Sequence, residues 1–299
     1  MNPQPLVYLN GQFVPRSRAG FDVEDRAVMF ADGVYEVLRY FGGRALAMDG
    51  HLARLRRSLK GISLPEPADV ARLASISDEL VSRNRCPDAK VYWQITRGSA
   101  TRDRALPKAA RPSVLVMTWP DRPLDRTGEL PCITAILAAD RRWHRCWIKS
   151  LMLLENVLAL REAAEAGADE AIFERGGTVT EATSSNVFIV TGGRLRTHPA
   201  DEAILAGITR AIVLDLAHRL DIPTVEQPFA AAELSAAEEV FICGTTTFVT
   251  AVTRLGDRPI ASGAAGPMTR RLHAALGRHI ADACGLAAVG PNAHSETCG

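Results

Sequence analysis

The sequence predicts an α+β protein in two domains, and three observations carry that prediction. Strand-like and helix-like stretches are interleaved without the strict alternation that a doubly wound sheet requires. At 299 residues the chain can form one large or two medium hydrophobic cores. Near the middle, Pro120-Asp121-Arg122-Pro123-Leu124-Asp125 is polar, carries two prolines and lies between strand-like runs, which marks a linker. The expected division is a smaller N-terminal domain over 1–119, a linker over 120–125 and a larger C-terminal domain over 126–284. A Gly-, Ala-, Ser- and Asn-rich tail over 285–299 is expected to be disordered.

The elements follow in order. Leu6 to Leu9 and Gln12 to Val14 flank Asn10-Gly11, a hairpin signal because both residues tolerate positive φ. Val34 to Tyr40, rich in Val, Leu and Tyr, turns at Gly42-Gly43 and is expected to return over Arg44 to Met48. Helices are predicted over His51 to Lys60 and over Val70 to Arg83, where Val70, Leu73, Ile76, Leu80 and Val81 form an apolar stripe. Strands at Lys90 to Arg97 and Ser113 to Trp119 close the first half. The second half reads as strand Cys132 to Ala138, helix Leu153 to Ala166, and strands Glu170 to Glu174 and Asn186 to Val190. Helix Ile208 to Leu220, strand Glu239 to Cys243 and helix Met268 to Ala283 complete it.

Composition excludes some partners. With 35 Lys plus Arg against 34 Asp plus Glu, no global field favours nucleic acid or an acidic membrane, so a small substrate fits better than a polyanion. The six cysteines, Cys86, Cys132, Cys146, Cys243, Cys284 and Cys298, show neither a CxxC pair nor metal-ligand spacing and read as reduced thiols with no metal site. Met1-Asn2-Pro3-Gln4-Pro5 has no basic segment followed by an apolar one, and no apolar run is long enough to span a bilayer. The expectation is a cytoplasmic protein.

Chemistry enters at one of only four lysines. Lys149 stands in Cys146-Trp147-Ile148-Lys149-Ser150-Leu151-Met152-Leu153-Leu154, and apolar neighbours that strip the ammonium of water would favour the neutral amine needed for a Schiff base. The same run also suits a lysine that snorkels its head to water from a half-buried strand. Downstream, Glu181 is the acid in a hydroxyl-rich turn, Thr178 to Asn186. A carboxylate is what a pyridine nitrogen needs to stay protonated and withdraw electrons; a solvated loop would look the same. Leu205-Ala206-Gly207-Ile208-Thr209-Arg210 places a glycine before a helix, where free N–H groups suit a phosphate or simply begin an ordinary helix. Cys243-Gly244-Thr245-Thr246-Thr247 offers hydroxyls at a strand end, or a plain threonine-rich turn.

In this order the four pieces resemble the fold-type IV pyridoxal-phosphate enzymes, over nearly the whole chain from Val7 to about Ala283. The D-amino-acid aminotransferase branch is the most similar. The likeness runs through Glu24-Asp25-Arg26, Asp32-Gly33-Val34-Tyr35-Glu36-Val37, Gln94-Ile95-Thr96-Arg97-Gly98, Ile148-Lys149-Ser150-Leu151 and Glu181-Ala182-Thr183-Ser184-Ser185-Asn186. The branched-chain enzymes usually carry Gly-Glu-Asn where this chain has Ser184-Ser185-Asn186, which favours the D-specific branch.

The resemblance implies that Lys149 holds pyridoxal 5'-phosphate as a Schiff base and shuttles the substrate proton, that Glu181 pairs with the pyridinium nitrogen, and that Tyr35 hydrogen-bonds nearby. Arg54, Ile208, Thr209 and Thr245 would hold the phosphate, and Leu205 would pack on the ring. Tyr35, Arg102 and, where the family has a histidine, Arg104 would trap the substrate carboxylate, with the two arginines serving a neighbouring subunit in a homodimer. Tyr92 and Arg39 point by strand alternation toward the pocket, with solvent as the alternative for Arg39. Phe248 departs from the usual polar residue. The implied reaction is ping-pong transamination between a D-amino acid and a 2-oxo acid such as 2-oxoglutarate or pyruvate. The rival readings are a branched-chain or (R)-amine transaminase, a lyase of the aminodeoxychorismate type, and a non-enzymatic cofactor-binding protein.

Overall fold

A computed structural model describes residues 5–109, 111–125 and 127–286. The first half builds β1 (Leu6–Leu9), β2 (Gln12–Pro15), α1 (Arg26–Phe30), β3 (Gly33–Phe41), β4 (Arg44–Ala45), α2 (Met48–Gly61), α3 (Leu73–Arg83), β5 (Ala89–Thr96) and β6 (Ser113–Pro120). These six strands form one antiparallel sheet in the order β2-β1-β6-β5-β3-β4. Burial alternates along β3 because successive side chains leave opposite faces: Val34, Glu36 and Leu38 go under α2, whereas Tyr35 and Val37 face the other way and are only half-buried. The core under the helices joins Leu55, Leu59, Leu73, Ile76 and Leu80 to Val91 and Trp93. The Trp93 indole donates to Ser77 Oγ at 2.8 Å, so the one polar atom of this buried ring is satisfied.

The second half comprises β7 (Cys132–Ala139), α4 (Leu154–Glu165), β8 (Glu170–Arg175), β9 (Thr178–Ala182), β10 (Asn186–Thr191), β11 (Arg194–Thr197), α5 (Ile208–Arg219), β12 (Thr224–Glu226), α6 (Ala231–Ala236), β13 (Glu239–Gly244), β14 (Phe248–Leu255), β15 (Arg258–Pro259) and α7 (Pro267–Ala283). Its mixed sheet runs β12-β11-β10-β13-β14-β7-β8-β9, with β15 against β14 and parallel pairs at β11/β12, β14/β7 and β7/β8. α5 and α7 cover one face, and their core also takes in Phe41 and Leu46 from the first sheet's hairpin. The other face packs Ile172, Val187 and Ile189 against Phe229 and Leu234. This is the two-domain α+β fold that the sequence predicts.

Several expectations need correction. The hairpin return is only Arg44–Ala45, because the α2 helix already begins at Met48. The segment Thr178 to Asn186 is not one turn: Thr178–Ala182 is the strand β9, and only Thr183 to Ser185 turns. Its threonines suit a hydroxyl-rich turn and a strand alike, and pairing with β8 decides for the strand. Arg39 reaches neither pocket nor solvent. It is buried, pairs with Asp121 at 2.7 Å, donates to Arg122 O at 2.7 Å, and lies over the rings of Phe41 and Phe248. Residues 1–4 and 287–299, which include the start of the chain and most of the expected tail, lie outside the described residues. Among those described, no helix is long and apolar enough to cross a membrane.

Candidate active site

A cleft between the two sheets gathers residues that are far apart in sequence. Tyr35, Arg54, Lys149, Glu181, Leu205, Ile208, Thr209 and Thr245 all line it. Lys149 is placed by its backbone. Its carbonyl accepts Tyr35 N–H at 2.9 Å, its N–H donates to Ser58 Oγ at 3.1 Å, and Ser150 bridges Val34. The chain here behaves as a short extra strand beside β3, and it leaves Lys149 Nζ 4.2 Å from the centre of the Tyr35 ring. The apolar setting expected for Lys149 holds on one side only. Cys146 and Ile148 are buried, whereas Met152, Leu153 and Leu154 are exposed.

Glu181 ends the cleft opposite. It is buried at the close of β9, where Oε2 accepts Leu205 N–H at 3.0 Å and Asn186 Nδ2 at 3.3 Å, while Oε1 meets Arg142 Nη1. Arg142 is the functional neighbour that sequence reasoning missed. Its Nε and Nη2 fork onto Asp140 at 2.9 Å each, and Asp140 also takes Arg175 at 3.0 Å and Thr180 Oγ1 at 2.9 Å. Burial pushes the Glu181 carboxyl above the usual carboxylate range, and the Arg142 guanidinium opposes it. In sequence, Asp140-Arg141-Arg142 has the look of a solvated loop. Only the approach of β7's end to β9 gives it this role.

The other end of the cleft is cationic. Glu36, fully enclosed under α2, takes Arg54 Nε and Nη2 at 2.8 and 2.7 Å and His51 Nδ1 at 2.8 Å. Burial alone would raise the Glu36 carboxyl, but Arg54 and His51 bring it down to about 2. Held this way, Arg54 extends Nη1 to Ala206 O at 3.1 Å, just ahead of α5. Gly207 begins that helix and offers no side-chain cap, so the first-turn N–H groups stay open to a ligand. A Cβ at Gly207 would overlap Asn186 Oδ1, and one at Gly244 would meet Thr247 Oγ1 and Ser185 Oγ. The backbone can wrap the cleft only with glycine there.

Three residues expected around the substrate do not line this chain's cleft, and for Arg102 and Arg104, expected to serve a neighbouring subunit, that is the anticipated place. Tyr92 lies on the same face of the first sheet as Tyr35 and Val37, stacks on Tyr35 with ring centres 5.6 Å apart and gives its hydroxyl to Gln94 at 2.8 Å, beside the cleft rather than in its lining. Arg102 and Arg104 are exposed on the loop between β5 and β6, outside this chain's own cleft.

The donor set fits pyridoxal 5'-phosphate. A primary amine faces one flank, a buried carboxylate lies at the end where a ring nitrogen would sit, and a guanidinium, a helix N-terminus and a threonine hydroxyl meet where a phosphate would lie. The model for the amino-transferase class IV family matches residues 33–255. The chain belongs to the class IV aminotransferases. It is 41% identical over 274 residues to a D-alanine aminotransferase of Bacillus licheniformis, covering 92% of this chain and 96% of that protein. Among solved structures it resembles a branched-chain aminotransferase from Thermoproteus uzoniensis with norvaline, at a TM-score of 0.85 and 28% identity over 93% of this chain and 95% of that one. A T.th. branched-chain amino acid aminotransferase with pyridoxamine 5'-phosphate also gives a TM-score of 0.85, at 25% identity over 94% of this chain and 95% of that one. The resemblance to fold-type IV enzymes read from the sequence holds, and with it an activity of pyridoxal-phosphate-dependent amino-group transfer.

Proposed function

We propose that this enzyme moves the amino group of D-amino acids to 2-oxo acids, in two half-reactions through one cleft. The observation that carries the reading is Lys149 facing Glu181 across a cleft whose far end is cationic. When bound, pyridoxal 5'-phosphate supplies the electron sink that acidifies the substrate Cα–H. Lys149 is the covalent anchor and then the base that carries the proton from Cα, with the Tyr35 ring fixing the direction of Nζ. Glu181 supplies the negative charge at the ring nitrogen, and its neighbours Arg142, Asn186 and Leu205 hold it in place. Arg54, the N–H groups of Ile208 and Thr209 and the Thr245 hydroxyl would hold the phosphate, and Leu205 would pack on the ring.

Tyr35 and, from a neighbouring copy, Arg102 and Arg104 receive the substrate carboxylate, with Tyr92 stacked beside Tyr35 on the same sheet face. Two guanidiniums favour bidentate carboxylate contacts and extend the range toward acidic side chains. A homodimer is supported by the exposed apolar residues that follow Lys149: Leu154 is 72% exposed and Val157 60%, with Met152, Leu158 and Leu160 beside them. The domains join over 120–125, where Asp121 receives Arg39. Cys86, Cys132, Cys146, Cys243 and Cys284 stand as free thiols, which supports a reducing, cytoplasmic setting.

The D-specific reading rests on the 41% identity to a D-alanine aminotransferase. The likeness in fold to branched-chain aminotransferases keeps an L-specific reading in play. A panel of D- and L-amino acids mixed with purified holoenzyme, followed through cofactor absorbance, decides between them. Rapid conversion by D-alanine or D-glutamate is expected, and faster conversion by L-leucine or L-valine overturns the assignment.

A further inference from the structure

The loop bearing Arg102 and Arg104 is held from one point. Arg26, the first residue of α1, is only 3% exposed. Its Nη1 donates to Asp103 O at 2.6 Å and to Ala105 O at 3.4 Å, the two carbonyls that flank Arg104. Among the described residues, these are the only hydrogen bonds that reach 101–109 from the rest of the chain; the loop's own contribution is an Asp103 side chain accepting Ala105 N–H at 3.0 Å. Arg102 is fixed beside it. The Phe30 ring carries the Arg26 guanidinium 4.7 Å from its centre and the Arg102 guanidinium at 5.5 Å.

Arg26 is itself anchored by Asp32, whose Oδ2 accepts its Nε at 2.8 Å. The same oxygen accepts Arg97 Nε at 2.8 Å, and Arg97 grips the end of α2 through Ile62 O at 2.7 Å and Ser63 O at 3.1 Å. Asp32 directly precedes β3, the strand that delivers Tyr35. Gly33 between them has no room for a side chain, since a Cβ would lie 2.7 Å from Ile95 O and 2.8 Å from Leu151 Cδ1. One carboxylate thus ties the loop to the start of the Tyr35 strand through a tightly packed joint.

We propose that Arg26 is the positioning residue of the carboxylate trap: its guanidinium fixes the loop that presents Arg102 and Arg104, and Asp32 locks that loop to the strand presenting Tyr35. The inference rests on the reading of Arg102 and Arg104 as the trap. Arginine suits the task because its planar fork serves Asp32 from one edge and two carbonyls from the other. A lysine at this position has one cationic head, which can hold Asp32 or the loop but not both. With the loop free, each binding event must order it anew, which weakens a carboxylate ligand without touching the cofactor.

The test is the affinity of the holoenzyme for propanoate, a carboxylate with no amine to transfer, titrated through cofactor absorbance in wild type, Arg26→Lys, Arg26→Gln and Arg102→Ala. Arg26→Lys keeps a positive charge on Asp32, so it separates loop placement from folding. Both Arg26 variants are expected to bind propanoate about 10-fold or more weakly, in step with Arg102→Ala, while the dissociation constant for pyridoxal 5'-phosphate stays at the wild-type value. For D-alanine, KM should rise more than kcat falls. A general structural role would instead lower cofactor affinity and melting temperature together. Wild-type propanoate affinity in Arg26→Lys, with Arg102→Ala impaired, overturns the positioning role and leaves the trap standing. Wild-type affinity in Arg102→Ala overturns the trap, and the role of Arg26 falls with it.

Discussion

Replacing Glu181 by glutamine separates charge from shape at the buried end of the cleft. The amide can still accept Leu205 N–H, now 3.0 Å away, so the local backbone should hold. What is lost is the negative charge that Glu181 sets beside Arg142 and, as proposed, offers to the ring nitrogen. A hydrogen bond to a charged group contributes about 1.5–3 kcal/mol net, and each 1.36 kcal/mol in a barrier is tenfold in rate. The half-reaction with a good D-amino acid should therefore slow by about 10- to 150-fold. Stripping one partner from a buried pair can cost about 3–5 kcal/mol of stability. Here Arg142 keeps its fork on Asp140, so the unfolding cost should stay near 1–2 kcal/mol, within the net worth of one or two hydrogen bonds. Rapid mixing with D-alanine gives the rate, equilibrium dialysis the cofactor affinity and urea titration the stability. A variant that reacts at wild-type speed with cofactor bound would show that Glu181 is not the ring-nitrogen partner.

Other outcomes follow from the same site. Lys149→Ala should abolish both transamination and the covalent attachment trapped by borohydride; a reduced digest with the cofactor on Lys60, Lys90 or Lys108 would contradict the assignment. Arg104→His should shift selectivity among side chains while activity persists, because a histidine donates in the same place without the fork; kcat/KM across D-alanine, D-leucine and D-glutamate measures it. Acid should destabilise the first sheet through Glu36 and His51. The Glu36 carboxyl is lowered from 4.5 to about 2, so its stabilisation, roughly 3 kcal/mol, is complete above pH 4.5 and is lost as pH falls from there toward 2. His51 is also lowered, from 6.5, mainly by burial, so unfolding gains protons below that pH as well. Glu36→Gln should flatten the loss between pH 4.5 and 2 in denaturant titrations, and an unchanged slope would count against it.

How far the site was legible depended on whether its logic was local. Lys149 stood out as one of four lysines in an apolar run, and Gly207 before a helix kept its sequence meaning because helix starts are local events. Long strongly patterned elements such as α3, β5 and α7 came out within a few residues of their ends. β9 and β14 did not, because the threonines at Thr178, Thr180 and Thr245 to Thr247 suit turns and strands alike, and the register with β8 and β13 is not a local signal. Phe248 even opens its strand at φ 52°, a value no propensity favours for an aromatic residue. The contacts of Arg142, and of Arg26 within its recognisable Glu24-Asp25-Arg26 segment, stayed hidden because they too depend on the fold. Each is one arginine among thirty-one, given meaning only by a carboxylate or carbonyl that the fold brings to it.

The exposed apolar residues of α4 begin almost where the amine-bearing segment ends, so under the proposed homodimer the stretch 149–160 would hold chemistry at one end and an assembly seam at the other. A substitution at Leu154 or Val157 is expected to pull on the same short run of backbone that sets the direction of the Lys149 amine. If this apolar face is the seam of the proposed homodimer, dilution should register first as a change in cofactor colour, well before any loss of secondary structure. For anyone adapting this scaffold to new amines, such a seam would be a second dial on the chemistry, reached from outside the cleft.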